Sequence, residues 1–354
     1  MATADYLSAA DLKAALSGGL LNEDVRQQVY NLGKGIPTPF TDLAGSGTFK
    51  NSYSEWTQDD PQDVDLNNAV IDGADAGAPD DAVGTRSGNH AQISDKVASS
   101  TQRAENVSSI GNVGSLAYQT AMRTNDLRRD IEAIALTGQA SVADNGDSTA
   151  GKSAGFSAVC VSNDSLGTSG TATGFNTSTK VVAVVVAGES RALTLAMIRT
   201  AVEAIYNKGG NPSVLMSRPP VTKAIGTFLL SSSGAPYRAA PTANVSGTAP
   251  ANQTAQGYVD VIVTDFGVTL KIVPNRLQQT YQSVDSPEVA SADVFLIDPD
   301  YVELAYLYGY KVEDLAKLGL SNRKQITTDW MLRVLREDAH AVIRDIDGTQ
   351  AVTA

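Results

Sequence analysis

Residues 114–138 place Ala117, Ala121, Thr124, Leu127, Ile131 and Ile134 at steps of three and four, which puts these small and apolar side chains on one helical face. Arg123, Arg128, Arg129 and Asp130 fall elsewhere on the wheel. No other stretch keeps the helical period so long, and the spacing predicts a helix of roughly 23 residues, about 35 Å at 1.5 Å per residue. A helix that long with so narrow a stripe lies across a surface as a strut. Around it the period is two rather than 3.6, so the predicted class is α+β.

Ile326, Thr328, Trp330, Leu332 and Val334 alternate without a break, and Ala341 and Ile343 alternate after the polar interruption Arg336-Glu337-Asp338. Two antiparallel strands are expected there. Strands are also predicted from Thr48 to Trp56, from Ala91 to Ser99, at Val181 to Ala187, at Val214 to Met216, and at Tyr258–Val263, Val268–Val273 and Asp293–Ile297. A second helix carries Leu195, Ile198, Val202 and Ile205, with Ser190 expected as its cap and Gly209-Gly210 as its stop. Pro219-Pro220 suit the first turn of a third, followed by a long small-residue loop over 231–256. Residues 5–33 predict two short helices, an arm leading into the body.

Between Lys50 and Arg86 there is no basic residue, yet nine acidic ones fall there, among them Glu55, Asp59, Asp60, Asp63 and Asp65. Flanked by strand-like pieces, this run predicts a projecting acidic hairpin. Such a run is either a solvated loop or a surface that docks on a basic partner.

At 354 residues the chain has room for one to three units. With 42% hydrophobic and 19% charged residues it carries enough apolar material for a core. A net charge of −12 argues against nucleic-acid gripping as the main task, since phosphate contacts need clustered Lys and Arg. The single cysteine, Cys160, rules out an internal disulfide framework and reads as a small buried apolar residue. No stretch is apolar enough for a membrane span, and the first residues do not read as a signal peptide, so synthesis in the cytoplasm is expected.

One motif imitates an enzyme. Residues Gly146-Asp147-Ser148-Thr149-Ala150-Gly151-Lys152-Ser153 satisfy the phosphate-loop pattern, in which Lys152 would reach a nucleotide and Ser153 a magnesium ion. The chemistry requires a buried strand before the loop and a helix after it. The preceding residues 139–145 are too polar for such a strand, and the following ones read as loop. His90 and His340 lack Ser or Cys partners, and the aspartates lack calcium-loop spacing, so no catalytic, cofactor or metal residues are expected.

Phe49 and Glu55-Trp56 before the acidic insert, Arg86-Ser87-Gly88-Asn89-His90, Ser100-Thr101-Gln102-Arg103 and Leu127-Arg128-Arg129-Asp130-Ile131-Glu132 occur in this order. Later come Ala305-Tyr306-Leu307, Leu315-Ala316-Lys317-Leu318-Gly319 and Ser321-Asn322-Arg323-Lys324-Gln325-Ile326. Together these stretches, spread over nearly the whole chain, resemble the major head proteins of tailed phages. The resemblance implies the Hong Kong 97-type capsid fold: an N-terminal arm (1–45), an extended loop (46–105), a peripheral domain with a spine helix (106–155), an axial domain (156–290), and a return to the peripheral domain (291–354).

It also implies a shell subunit that performs no chemistry, forms hexamers and pentamers with itself, and ends in the virion after assembly in the host cytoplasm. Scaffolding, portal and decoration proteins are the implied partners, with only weak non-specific contact to packaged DNA and none to membrane. The acidic hairpin, with Glu55, Trp56, Asp59, Asp60, Asp63 and Asp65, is expected to dock on a basic stripe of a neighbour built from Arg323, Lys324, Arg333, Arg336 and Arg344. Two other readings stand beside this one: a nucleotide-binding protein using residues 146–153, and a secreted adhesin or surface-layer protein suggested by the Ala, Gly, Ser and Thr richness.

Overall fold

The computed structural model describes residues 36–59, 64–73, 75, 77, 84–108, 110–231, 261–282, 290–317, 319–350 and 352. The two helices expected over 5–33, most of the 231–256 loop, and Asp60 and Asp63 lie outside the described residues.

A short helix α1 (Pro39–Leu43) leads into strand β1 (Gly45–Thr48), and β2 (Tyr53–Gln58) pairs antiparallel with β3 (Thr85–His90). The strand expected from Thr48 to Trp56 is therefore two strands. Phe49 leaves the ladder between them and packs against Ala91, Ala305 and Met331. Strand β4 (Gln92–Thr101) and the five-residue α2 (Gln102–Asn106) precede the long helix α3 (Leu116–Ala135). Its 20 residues correspond to about 30 Å.

Only the second half of α3 is buried, through Leu127, Ile131, Glu132 and Ala135, whereas Ala117 and Ala121 stay exposed. A one-turn helix α4 (Phe156–Val159) follows, its first residue preceded by Gly155. A Cβ at Gly155 would lie 2.0 Å from the Thr137 carbonyl oxygen, so no larger residue fits that crossing.

The short strands β5 (Asp164–Ser165), β6 (Phe175–Asn176) and β7 (Val181–Val182) occupy the Gly/Ser/Thr-rich middle. The buried strand expected at Val181 to Ala187 stops after two residues, and Val184 and Val186 are exposed. Helix α5 (Leu195–Asn207) is capped by Thr194, whose hydroxyl accepts from the Met197 N–H at 3.2 Å. Ser190, the expected cap, lies one turn too early. Then come β8 (Val214–Ser217), α6 (Pro219–Ser231), β9 (Val261–Val263), β10 (Thr269–Pro274), β11 (Tyr281–Gln282) and β12 (Ala290–Ile297). The chain ends on β13 (Val302–Leu315), β14 (Ser321–Val334) and β15 (Ala341–Asp347).

Two sheets organise these strands. The four-stranded sheet has the order β1-β13-β14-β4, with β13 and β14 paired from Val302↔Val334 to Leu315↔Arg323. Its Leu304, Ile326, Trp330 and Leu332 share one core with Leu127 and Ile131 of α3. The seven-stranded sheet has the order β5-β15-β12-β8-β10-β9, with β11 paired to β12. One of its faces, with Leu215, Leu270, Val294 and Ile343, packs on α5 and α6 through Ile198, Val202, Val221 and Ile225. Its other face, with Met216, Phe295 and Val342, joins the core of α3 through Phe156.

Consecutive strands β14 and β15 thus belong to different sheets, so the antiparallel pair expected from the alternation of the C-terminus does not form. A boundary at residue 291 likewise does not separate the sheets. Strands β12 and β15 are central to the sheet that β8 and β10 begin.

Candidate subunit-contact surfaces

The β2–β3 hairpin is anchored at its root, and the described residues of the segment joining its strands are exposed. At the root, fully buried Asn89 donates to the Leu332 carbonyl at 2.8 Å and accepts from the Ala154 N–H at 2.9 Å. Gln58 donates to the Leu335 carbonyl at 2.8 Å, and the Arg336 guanidinium donates to the Asp59 carbonyl at 2.8 Å. Arg333 donates to the Ser54 hydroxyl at 3.0 Å and pairs with Glu303 at 2.8 Å.

Arg333, Arg336 and Glu55, all expected contact residues, are therefore engaged inside their own subunit. Glu55 accepts from the Tyr53 hydroxyl at 2.9 Å and pairs with Lys180 at 3.2 Å. The Tyr53 hydroxyl first, then the Lys180 ammonium, hold its carboxyl below the usual carboxylate range. The Trp56 indole lines a cleft with Lys208, Gly209, Tyr301 and Arg336.

Beyond the root, Val64, Leu66, Val70 and Ile71 are 85%, 89%, 85% and 84% exposed. Asp65 and Asp72 are exposed among them. Large apolar side chains exposed together in this way are unusual on a solvated surface. They stand in plain sight within the acidic run, and attention to its charge alone misses them.

The five basic candidates do not form one stripe. Arg344, 1% exposed, sits under α4, where its guanidinium donates to the Ser157 carbonyl at 2.6 Å and the Cys160 carbonyl at 2.9 Å. Asp164 at 3.4 Å and Asp293 at 3.9 Å balance its charge. It is a core residue, because β15 is covered on both faces. Arg333 and Arg336 serve the hairpin root. Arg323 and Lys324 remain at the far end of β14, about 33 Å from Arg333 at ~3.3 Å per strand residue. As successive residues they point to opposite faces, and Lys324 pairs with Asp314 at 3.2 Å.

The phosphate-loop motif is a hairpin turn. Val142 and Lys152 bridge it, and the Asn145 carboxamide accepts from the N–H groups of Asp147, Ser148 and Thr149, turning them inward. Ser153 is buried, its hydroxyl accepting from the Leu332 N–H at 3.1 Å and from the Asn89 amide at 3.2 Å. No helix of useful length follows, only the four residues of α4. Among the described residues no three His, Cys, Asp or Glu side chains converge as a metal site.

A helix lying across a long-stranded sheet, a second sheet with helices on one face, and a hairpin whose strands pair only with each other define the Hong Kong 97-type capsid fold. Similar solved structures include Mycobacterium phage Bobi (TM-score 0.55, 12% identity, 97% of this chain and 99% of that one). The capsid of the native GTA particle matches with TM-score 0.56 at 11% identity, covering 96% and 98%. The holo-SrpI encapsulin complex from Synechococcus elongatus matches with TM-score 0.52 at 12% identity, covering 94% and 95%.

Residues 7–347 match the family described as SU10 major capsid protein, and the chain belongs to that family. The major capsid protein of Escherichia phage Phieco32 is 30% identical over 103 residues, a stretch that spans 29% of this chain and 29% of that protein.

Proposed function

We propose that the chain assembles with copies of itself, as hexamers and pentamers, into the icosahedral head that encloses the double-stranded DNA of a tailed phage, and that it catalyses nothing. The observation that carries this reading is the hairpin tip, where Val64, Leu66, Val70 and Ile71 stand exposed among the described residues. A second copy supplies the cover, because heterologous contacts between identical chains close into rings when the rotation is right.

In this reading the tip docks through its apolar side chains, and Asp59, Asp65 and Asp72 steer it toward the end of a neighbour's β14 that carries Arg323 and Lys324. The unit around the four-stranded sheet and α3 is the peripheral domain, and the seven-stranded sheet with α5 and α6 is the axial domain near the capsomer centre. Assembly in the host cytoplasm with scaffolding and portal proteins, optional decoration proteins outside, and only weak contact with DNA fit a subunit of net charge −12.

Electron microscopy of the purified recombinant protein tests this. Closed shells or five- and six-membered rings are expected, and a dispersed monomer at every concentration and salt would overturn it. Reversal of Asp59, Asp65 and Asp72 to lysine is expected to block assembly of a subunit that still folds.

A further inference from the structure

We propose that Lys180 is a positioning residue for assembly: its ammonium, carried on the β6–β7 turn, clasps Glu55 and Tyr53 at the hairpin root and, together with the Gln58 and Asp59 bonds, sets the angle at which the hairpin leaves its own subunit. The inference rests on the docking reading for its consequence and on geometry for its substance.

The turn is built to present that side chain. The Asn176 carboxamide oxygen accepts from the N–H groups of Ser178 at 2.9 Å and Thr179 at 3.1 Å, and the Lys180 N–H closes the turn on the Asn176 carbonyl at 2.7 Å. Lys180 stands at φ +57°, a left-handed conformation that costs a residue with a Cβ and costs glycine nothing. Glycine there would relieve the backbone and hold nothing.

From this position the Nζ reaches Glu55 Oε1 at 3.2 Å and lies 5.7 Å from the centre of the Tyr53 ring. Tyr53 donates to the same carboxylate, and its ring tilts against His90 at 4.7 Å. Gly88 makes room for the arrangement, since a Cβ there would lie 2.4 Å from the Tyr53 hydroxyl oxygen. Arg86, at 3.5 Å from Glu55 Oε2, adds a second cation on the outer strand.

The clasp differs in kind from the Asn89 knot. Asn89 is buried and joins the hairpin to the core, whereas the Lys180 side chain is 59% exposed and its ion pair is reversible. Such a contact adds little to folding and much to orientation. The far end of β2 is held as well, at Gln58 by the Leu335 carbonyl and at Asp59 by Arg336, so the clasp and these two bonds together fix the direction in which the connection leaves the hairpin.

The test uses the full-length, unassembled subunit in a Cys160→Ala background, with spin labels on cysteines replacing Asn68 at the tip and Glu203 on α5. Lys180→Met is expected to widen the tip-to-body distance distribution by roughly a factor of two with the melting temperature unchanged, and to lower the yield of closed shells. Lys180→Arg, which keeps the cation facing Glu55 and the Tyr53 ring, is expected to retain the parent's distribution and yield. An unchanged distribution in Lys180→Met, or normal shells despite a wider one, would overturn the proposal. A variant at Leu66 that assembles normally would instead overturn the docking reading and leave the clasp standing as a property of the subunit.

Discussion

The Glu132 carboxylate, one turn from the end of the long helix, receives both the backbone N–H of Thr41 at 2.7 Å and its hydroxyl at 2.5 Å. It also accepts from the Phe40 N–H at 2.8 Å and the Asn275 amide at 2.7 Å. Thr38 gives helix α1 no side-chain cap, so a residue 91 positions away does the capping and fixes where the arm enters the body. Every group facing Glu132 is a donor. Glu132→Gln places an NH₂ among them and is expected to cost about 2–3 kcal/mol in urea unfolding of the subunit. A loss below about 0.5 kcal/mol would show that the cap does not hold the arm.

Arg344 and the pair Arg323/Lys324 are expected to separate folding from assembly. Removing the Arg344 guanidinium leaves the Ser157 and Cys160 carbonyls buried without their donor and Asp164 and Asp293 without a countercharge, so Arg344→Met is expected to destabilise the subunit by about 3–5 kcal/mol and to deplete soluble protein. Arg323→Ala and Lys324→Ala alter half-exposed side chains and are expected to stay within about 0.5 kcal/mol while lowering shell yield. Thermal unfolding beside particle counts checks both. Equal stability losses at all three positions would refute the distinction.

What the sequence made legible follows what burial imposes on one face. The Leu127–Ile131 stripe and the Ile326–Val334 alternation were readable because each sends its apolar face into one core, even though the other face of the strand is also covered at Met331 by Phe49. Strand β13 was missed, although Val302, Leu304, Tyr306, Tyr308, Tyr310 and Val312 alternate, because register shifts at Tyr306/Tyr308 and Tyr308/Lys311 break its pairing and tyrosines blur its polarity. Arg344 was misplaced for a related reason. An arginine between apolar strand residues reads as the wet face, yet all of β15 is buried, its second face covered by α4. Which sheet a strand joins depends on partners far along the chain, and no local period records that. The Glu55–Lys180 pair is invisible for the same reason, being two unremarkable charges 125 positions apart.

The hairpin tip is expected to bind through its apolar residues more than through its aspartates. Val64, Leu66, Val70 and Ile71 touch no core cluster, so replacing Leu66 and Ile71 by serine leaves subunit stability within about 0.5 kcal/mol. Burying two such side chains is worth about 1.5–3 kcal/mol each, whereas exposed ion pairs contribute up to about 1 kcal/mol and are screened by salt. Light-scattering assembly assays are expected to show the double serine variant failing at every ionic strength. Asp65→Asn is expected to show a defect only at low salt. If salt abolishes wild-type assembly while the serine variant assembles, charge is the anchor.

His340 gives the folded subunit an acid limit. Its ring is buried against Phe156 at 5.1 Å, its Nδ1 accepts from the Asp298 N–H at 3.2 Å, and burial pushes its pKa down to about 3. The unfolded chain therefore binds the proton that the native state refuses, and stability falls as pH drops from about 6.5 toward 3, by up to about 1.4 kcal/mol per pH unit. Glu337 and Asp164, raised by burial, act in the opposite sense: their contribution is present at low pH and is lost as pH rises through their native pKa values. Comparing His340→Asn with the parent cancels those carboxylates, since an asparagine Oδ1 can still accept from Asp298 and does not titrate. Urea unfolding at pH 7 and pH 4.5 is expected to show the parent losing about 2 kcal/mol more than the variant between the two. Parallel losses in both proteins would mean that His340 takes up its proton without unfolding the site.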